Sequence, residues 1–124
     1  MHLKIQESAE NYLETILILS KTLPVVRSVD IANELGFKKS SVSVAMKNLR
    51  ENGCITVTDA GFIYLTESGR EIASKIYERH QFFSEWLIRL GVDEKTATED
   101  ACKMEHYMSA ASFAAMKKYV NEHG

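Results

Sequence analysis

The chain has 124 residues, 45% of them hydrophobic and 26% charged, with a formal net charge of −2. These are the proportions of a folded globular protein and exclude a largely disordered one; the length fits one ordinary domain or two very small ones. No run of 18 apolar residues is present, which excludes a helical membrane span, and a charged start (Met1 to Glu10) with only two cysteines, Cys54 and Cys102, leads us to expect a cytoplasmic protein with reduced thiols.

From the N-terminus, Ser8 is placed to cap a helix in which Ala9, Tyr12, Leu13, Ile16 and Leu17 recur at helical spacing, ending before Pro24. Ser28 is expected to cap a short helix carrying Ile31, Ala32 and Leu35, which stops at Gly36. The connection Gly36-Phe37-Lys38-Lys39 leads to Ser40 and to a helix with Val42, Ala45, Met46 and Leu49 on one stripe, stopped by Asn52-Gly53. The period then changes: Ile55 to Thr58 alternates apolar and polar, Asp59-Ala60-Gly61 is a turn, and Phe62 to Leu65 is a second β-rich run, so a hairpin is predicted. Thr66 is expected to cap a long helix through Ile72, Ala73, Ile76, Tyr77, Phe83 and Leu87 to about Leu90. Asp93 caps a further helix to about Met108, and Ser109 a last one through Phe113, Met116 and Val120. The predicted fold class is mainly α with a small β-hairpin: a winged helix-turn-helix over residues 1–73 and a helical domain over 74–124, joined inside the long helix.

The charge is unevenly spread. Between Lys21 and Arg50 six basic residues face two acidic ones, whereas between Asp93 and Glu105 two basic residues face five acidic ones. A basic first half suits an anion and an acidic second half a cation. In the first half, the helix after the turn must rest its apolar stripe on the domain and offer its other face to a major groove. That face carries Lys39, Ser40, Ser41, Ser43, Lys47 and Arg50, with Lys38 and Ser28 beside it; short hydroxyls allow close approach and the cations reach phosphates. The wing tip, Asp59-Ala60-Gly61, holds no cation, so only a minor phosphate role is expected there. An amphipathic helical hairpin with merely solvated charges is the plainer alternative.

In the second half, Cys102, Glu105 and His106 stand at i, i+3 and i+4, which on one helix share a side. Thiolate, carboxylate and imidazole converging on one point can hold a divalent cation. His80, four residues after Ile76 on the long helix, falls on the inward stripe and is a fourth donor, although a histidine there can equally be a satisfied core residue. Glu14 and Asn11 share a face of the first helix and can close the site from a third direction, or be plain surface. Other readings of these donors are a winged-helix regulator that does not sense metal, a small zinc hydrolase with an open coordination position, and a metal buffer; no phosphate loop or Gly-rich turn accompanies the donors, so no catalytic residues are assigned and an enzyme is not expected.

Asp100-Ala-Cys-Lys-Met-Glu-His-Tyr-Met-Ser109 resembles the metal-binding segment of the diphtheria toxin repressor and manganese transport regulator family of metal-dependent repressors. Glu10-Asn-Tyr-Leu-Glu-Thr-Ile16 is similar to that family's first-helix motif, Val29 to Leu35 and Ser41-Val-Ser43 to its helix-turn-helix, and Thr66-Glu-Ser-Gly69 and Arg79-His80 to its long helix. The resemblance implies a homodimeric repressor with an N-terminal winged helix and a helical metal-binding and dimerisation domain, in the short form without an SH3-like domain. It implies Cys102, Glu105 and His106 as primary metal ligands, His80 as a ligand of a neighbouring site, and Glu14 as a ligand as in the manganese branch. Asn11 stands where the iron branch has Met and the manganese branch Asp, and its amide oxygen can still coordinate. Ser84 and Thr98 stand where the iron branch has carboxylate and imidazole ligands. The implied partners are a palindromic double-stranded DNA operator and a second copy of the chain. The implied cofactor is a divalent transition metal; the thiol favours Fe²⁺ with Mn²⁺ second, and Zn²⁺, Co²⁺ and Ni²⁺ are expected to bind in vitro. Metal is expected to fix the first helix against the dimerisation helices and so set the spacing of the two reading helices.

Overall fold

The computed structural model describes residues 2–123, with side chains from Glu7 onward. Its elements are α1 (His2–Ser20), α2 (Ser28–Leu35), α3 (Lys39–Glu51), β1 (Ile55–Val57), β2 (Ile63–Leu65), α4 (Glu67–Arg89), α5 (Glu94–Met104) and α6 (Ala110–His123). This is the mainly helical chain with one hairpin that the periodicities predict. It divides into two compact units, 1–75 and 76–124, the boundary falling inside α4. Met1 and Gly124, the outer bounds of the two expected domains, lie outside the described residues.

In the first unit α1 packs on α2, α3 and β2, α2 on α3, and α3 on β1. The core is built by the apolar stripes: Leu13, Ile16 and Leu17 of α1, Ile31 and Ala32 of α2, and Val42, Met46 and Leu49 of α3. Ile55 and Ile63 close it from the hairpin. Each such aliphatic side chain contributes about 1.5–3 kcal/mol by leaving water. The strands pair antiparallel with Ile55 opposite Leu65 and Val57 opposite Ile63. The Ile63 N–H also donates to the Val26 carbonyl at 2.8 Å, a bridge that ties the segment after Pro24 to the hairpin. No periodicity announces it, because two residues are too few to show one.

Three helix starts differ from expectation. α1 begins at His2, so Ser8 lies within the helix rather than capping it; no Gly or Pro interrupts residues 2–8. Ser28 is the first residue of α2 rather than its cap: Arg27 is extended (φ −125°, ψ 163°) and its N–H donates to Asp30 Oδ2 at 2.9 Å, a reach-back carboxylate replacing the expected hydroxyl. α3 begins at Lys39, after an extended Lys38. Between α2 and α3, Gly36 takes φ 70°, and its N–H and that of Phe37 both donate to the Ala32 carbonyl. This left-handed cap makes the tight turn.

The start of α4 is pinned to the hairpin. Thr66 Oγ1 accepts from the Gly69 N–H at 3.2 Å and donates to the Gly53 carbonyl at 2.6 Å, while the Thr66 N–H donates to the Cys54 carbonyl at 3.0 Å. A Cβ on Gly69 would stand 2.0 Å from that same Cys54 oxygen, so the helix lies against backbone at a distance only glycine permits.

In the second unit Phe83, Ala101 and Phe113 form the core, with Phe82, Met104, Met108 and Met116 around them. Phe113 meets Phe82 and Phe83 edge-on, at centroid distances of 5.3 and 5.8 Å. Asp93 caps α5 by accepting from the Thr96 N–H at 3.0 Å, which holds its carboxyl below the usual carboxylate range. Ser109 Oγ accepts from the Ser112 N–H at the start of α6. α5 ends at Met104, four residues earlier than the expected Met108. The reason is Arg79: its Nη1 donates to the carbonyls of Glu105 at 3.2 Å and Met108 at 2.7 Å, and these acceptors face it instead of a continuing helix.

Candidate metal centre and nucleic-acid interface

The basic face comes from the local rules of α3. Burying Val42, Met46 and Leu49 leaves Lys39, Ser40, Ser41, Ser43, Lys47 and Arg50 exposed, as is Lys38 just before the helix. Ser28, half-buried at the first turn of α2, joins Ser43, Lys47 and Arg50 around an open groove floored by Met46 and Val57. Lys38, Lys39, Ser40 and Ser41 lie outside that groove's lining, at the entry to α3. The Arg27 guanidinium stacks over the Phe62 ring, 4.8 Å from its centre, beside the wing.

The acidic half brings donors together. Nδ1 of His80, on α4, lies 2.9 Å from Glu105 Oε2 and 3.6 Å from Cys102 Sγ. One ligand atom from each of the three lies within 4.8 Å of the others. Donors about 2.0–2.3 Å from one ion stand no more than about 4.6 Å apart, so this set closes on a single cation with little movement. Cys102 is exposed in the last turn of α5, His80 is half-buried, and Glu105, the C-cap residue, is fully buried. The other Glu105 oxygen, Oε1, makes no hydrogen bond and lies 3.3 Å from Nε2 of His106. A buried carboxylate oxygen without a donor is a group that a cation would satisfy. The His106 ring is covered (1% accessible) and falls outside the three-donor set. It follows Glu105 past the end of α5, so the single-helix geometry predicted for the three residues applies only in part.

Hydrogen bonding to Cys102, and after it to Glu105, pushes the His80 pKa up to about 10 against the opposing effect of burial. The ring therefore holds a proton at neutral pH until something displaces it. In the first unit, Glu14 is buried on α1 and Asn11 is half-buried one turn before it, where its carbonyl accepts from Thr15 Oγ1 at 2.8 Å.

Sequence reasoning gave Arg79 no role of its own. It is buried, donates to the two carbonyls that flank the turn after α5, and sets its guanidinium 5.2 Å from the Phe113 ring centre. The signal was present, because Ile76, Arg79 and Phe83 follow at i, i+3 and i+7 on the buried stripe.

Residues 4–60 match the model of the iron dependent repressor N-terminal DNA binding domain, and residues 66–123 that of the iron dependent repressor metal binding and dimerisation domain. The transcriptional regulator MntR of Escherichia coli is 32% identical over 96% of this chain and 77% of its own length. An uncharacterised HTH-type transcriptional regulator of Methanocaldococcus jannaschii is 34% identical over 95% of this chain and 96% of its own. Among solved structures, a manganese-dependent transcriptional repressor in complex with manganese superposes with a TM-score of 0.82 at 25% identity, over 91% of this chain and 52% of that one. The IdeR of T. acidophilum, at 24% identity and a TM-score of 0.78, shares the fold. The chain thus belongs to the iron-dependent repressor family of metal-dependent, DNA-binding transcriptional regulators that includes MntR.

Proposed function

We propose that this chain is a homodimeric, metal-activated repressor whose second unit binds Fe²⁺, with Mn²⁺ as second choice, and whose first unit reads a palindromic operator in metal-homeostasis genes. The observation that carries the reading is the convergence of His80, Cys102 and Glu105 inside the segment that matches a metal-binding and dimerisation domain. We assign these three and His106 as donors, and add Glu14 and Asn11 of α1 as further ligands to be tested by substitution. Bound there, a divalent ion would supply the positive charge that a buried carboxylate and a thiolate require. His80 would give up its proton to hold the ion, and Glu105 and Cys102 would offer a carboxylate oxygen and the sulfur. The sulfur donor is the reason for ranking Fe²⁺ above Mn²⁺, since thiolates favour softer ions, and Zn²⁺, Co²⁺ and Ni²⁺ are expected to compete in vitro.

On the DNA side, we assign Lys38, Lys39, Lys47 and Arg50 to phosphates and Ser28, Ser40, Ser41 and Ser43 to close groove contacts. The role is regulatory and not enzymatic, in keeping with a family of transcriptional regulators. Among the described residues no helix is long and apolar enough to cross a membrane, and we place the protein in the cytoplasm.

The test is operator affinity measured anaerobically with and without Fe²⁺ or Mn²⁺. Linkage requires each ligand to raise the other's affinity equally, by about 5–150-fold for a typical coupling of about 1–3 kcal/mol. Equal affinities in both conditions overturn metal activation. Glu105→Ala is expected to abolish the metal response and leave the dimer intact; unchanged metal binding overturns the ligand assignment.

A further inference from the structure

The outer face of α3 is polar except at one place. Val44 is 61% exposed, the one large hydrophobic residue that α3 leaves in solvent among the described residues. At 3.6 residues per turn it stands about 160° around the axis from both Val42 and Met46, directly opposite the buried stripe. Its neighbours one turn away are Ser40, Ser41, Lys47 and Asn48, all exposed. An apolar side chain is thus set at the centre of a ring of hydroxyl, amide and ammonium groups, halfway along the helix.

From this placement we infer that Val44 is a specificity-determining residue that reads the C5-methyl group of a thymine in the major groove; the inference rests on α3 being the reading helix of the proposed function. The floor of that groove offers hydrogen-bond donors and acceptors and one apolar feature, the thymine methyl. Val44 has no group to satisfy a donor or acceptor, so any polar base edge pressed against it loses its water without compensation. A thymine methyl loses nothing and is buried with gain. The side chain is short, so the contact needs the helix deep in the groove. The serines at 40, 41 and 43 allow that approach, and Lys38, Lys39, Lys47 and Arg50 supply charge complementary to the phosphates on either side.

The experiment uses the full-length dimer with Mn²⁺. A binding site is selected from random duplex DNA, and each thymine in it is then replaced by deoxyuridine, which removes only the methyl. We expect one thymine per half-site at which the replacement weakens binding about fourfold, the equivalent of burying one methyl group. In Val44→Ser, a change at an exposed position between residues of similar helix propensity, affinity for the thymine site falls about fourfold per protomer, about sixteenfold for the dimer, and the deoxyuridine replacement has no further effect. Two outcomes overturn the inference while leaving DNA binding standing: no thymine sensitive to methyl loss, or the same fourfold loss in Val44→Ser. A wild-type dimer that selects no sequence at all overturns the DNA-reading assignment itself.

Discussion

Replacing Arg79 by Met keeps most of the side chain's length and removes its charge and donors. In the structure Nη1 serves two carbonyls, those of Glu105 and Met108, and the guanidinium lies on the Phe113 ring. Hydrogen bonds from a charged donor contribute about 1.5–3 kcal/mol each, and the ring contact about 0.5–2 kcal/mol. Against this, Nε makes no hydrogen bond although it is buried, and removing an unmatched buried donor returns about 1–3 kcal/mol. The balance is a loss of about 2.5–5 kcal/mol, which a fold in the middle or upper part of the ordinary range of about 5–15 kcal/mol survives. The functional effect should be larger in proportion. Glu105 and His106 lie on the turn that these bonds hold, and loss of a group that orients metal ligands weakens affinity about 10–100-fold. Denaturant unfolding of the metal-free variant reads the first quantity and calorimetric titration with Mn²⁺ the second. A folded variant with metal affinity within about twofold of wild type would show that Arg79 orients nothing at the centre. A stability loss below about 1 kcal/mol, the scale of an ordinary surface change, would refute the hydrogen-bond accounting.

The remaining predictions concern protons, backbone packing and phosphates. With its pKa pushed up to about 10, His80 carries a proton that metal must displace, so affinity should rise with pH about tenfold per unit for each proton released; in His80→Gln the slope of log affinity against pH should drop by about one, and an unchanged slope excludes His80 as a ligand. The same elevation stabilises the metal-free fold below the ring's ordinary value of 6.5, and that contribution fades as pH rises through about 10. Gly69→Ala sets a methyl 2.0 Å from the Cys54 oxygen and should cost at least about 3 kcal/mol, because overpacking comes with strain on the Thr66 bonds to Gly53 and Cys54; thermal melting near wild type would mean the helix start is not held there. Lys47→Ala should weaken DNA binding evenly across sequences and reduce the salt slope by about one per protomer, whereas a change in the selected sequence would assign Lys47 to a base edge.

How much of this was legible beforehand depends on the range of the interactions that decide it. The stripes of α1, α2 and α3 and the two-residue period of the hairpin are local, and they place Leu13, Ile31, Val42 and Ile55 in the core as expected. Caps decided by one side chain were partly misplaced, since Asp30 can reach back to Arg27 and displace Ser28 from the role its hydroxyl suggests. The Val26–Ile63 bridge and the end of α5 were not legible, because their partners lie 37 and 26–29 residues away. In the donor set, the three-residue separation of Cys102 and Glu105 put them within reach of each other on helix geometry alone. His80 was read from the inward stripe of α4, but the buried residue one turn after Ile76 is Arg79, and His80 sits on its flank, half-buried.

That flanking position matters for what the centre can do. Had α5 continued to Met108, Glu105 would have spent its carbonyl on the helix, and Cys102, Glu105 and His106 would have presented one uniform face. Ending the helix at Met104 instead turns the Glu105 and Met108 carbonyls to Arg79, and the three donors that converge lie in different environments: the Cys102 thiol in solvent, the His80 imidazole of α4 at the boundary and the Glu105 carboxylate with no exposure. The buried carboxylate bonds to the His80 ring, and this contact, after the hydrogen bond to Cys102, raises the pKa of that ring. The proton on His80 and a divalent ion are therefore alternatives for one buried negative charge. Affinity for metal therefore reflects the stability of the protonated pair as well as the donors themselves.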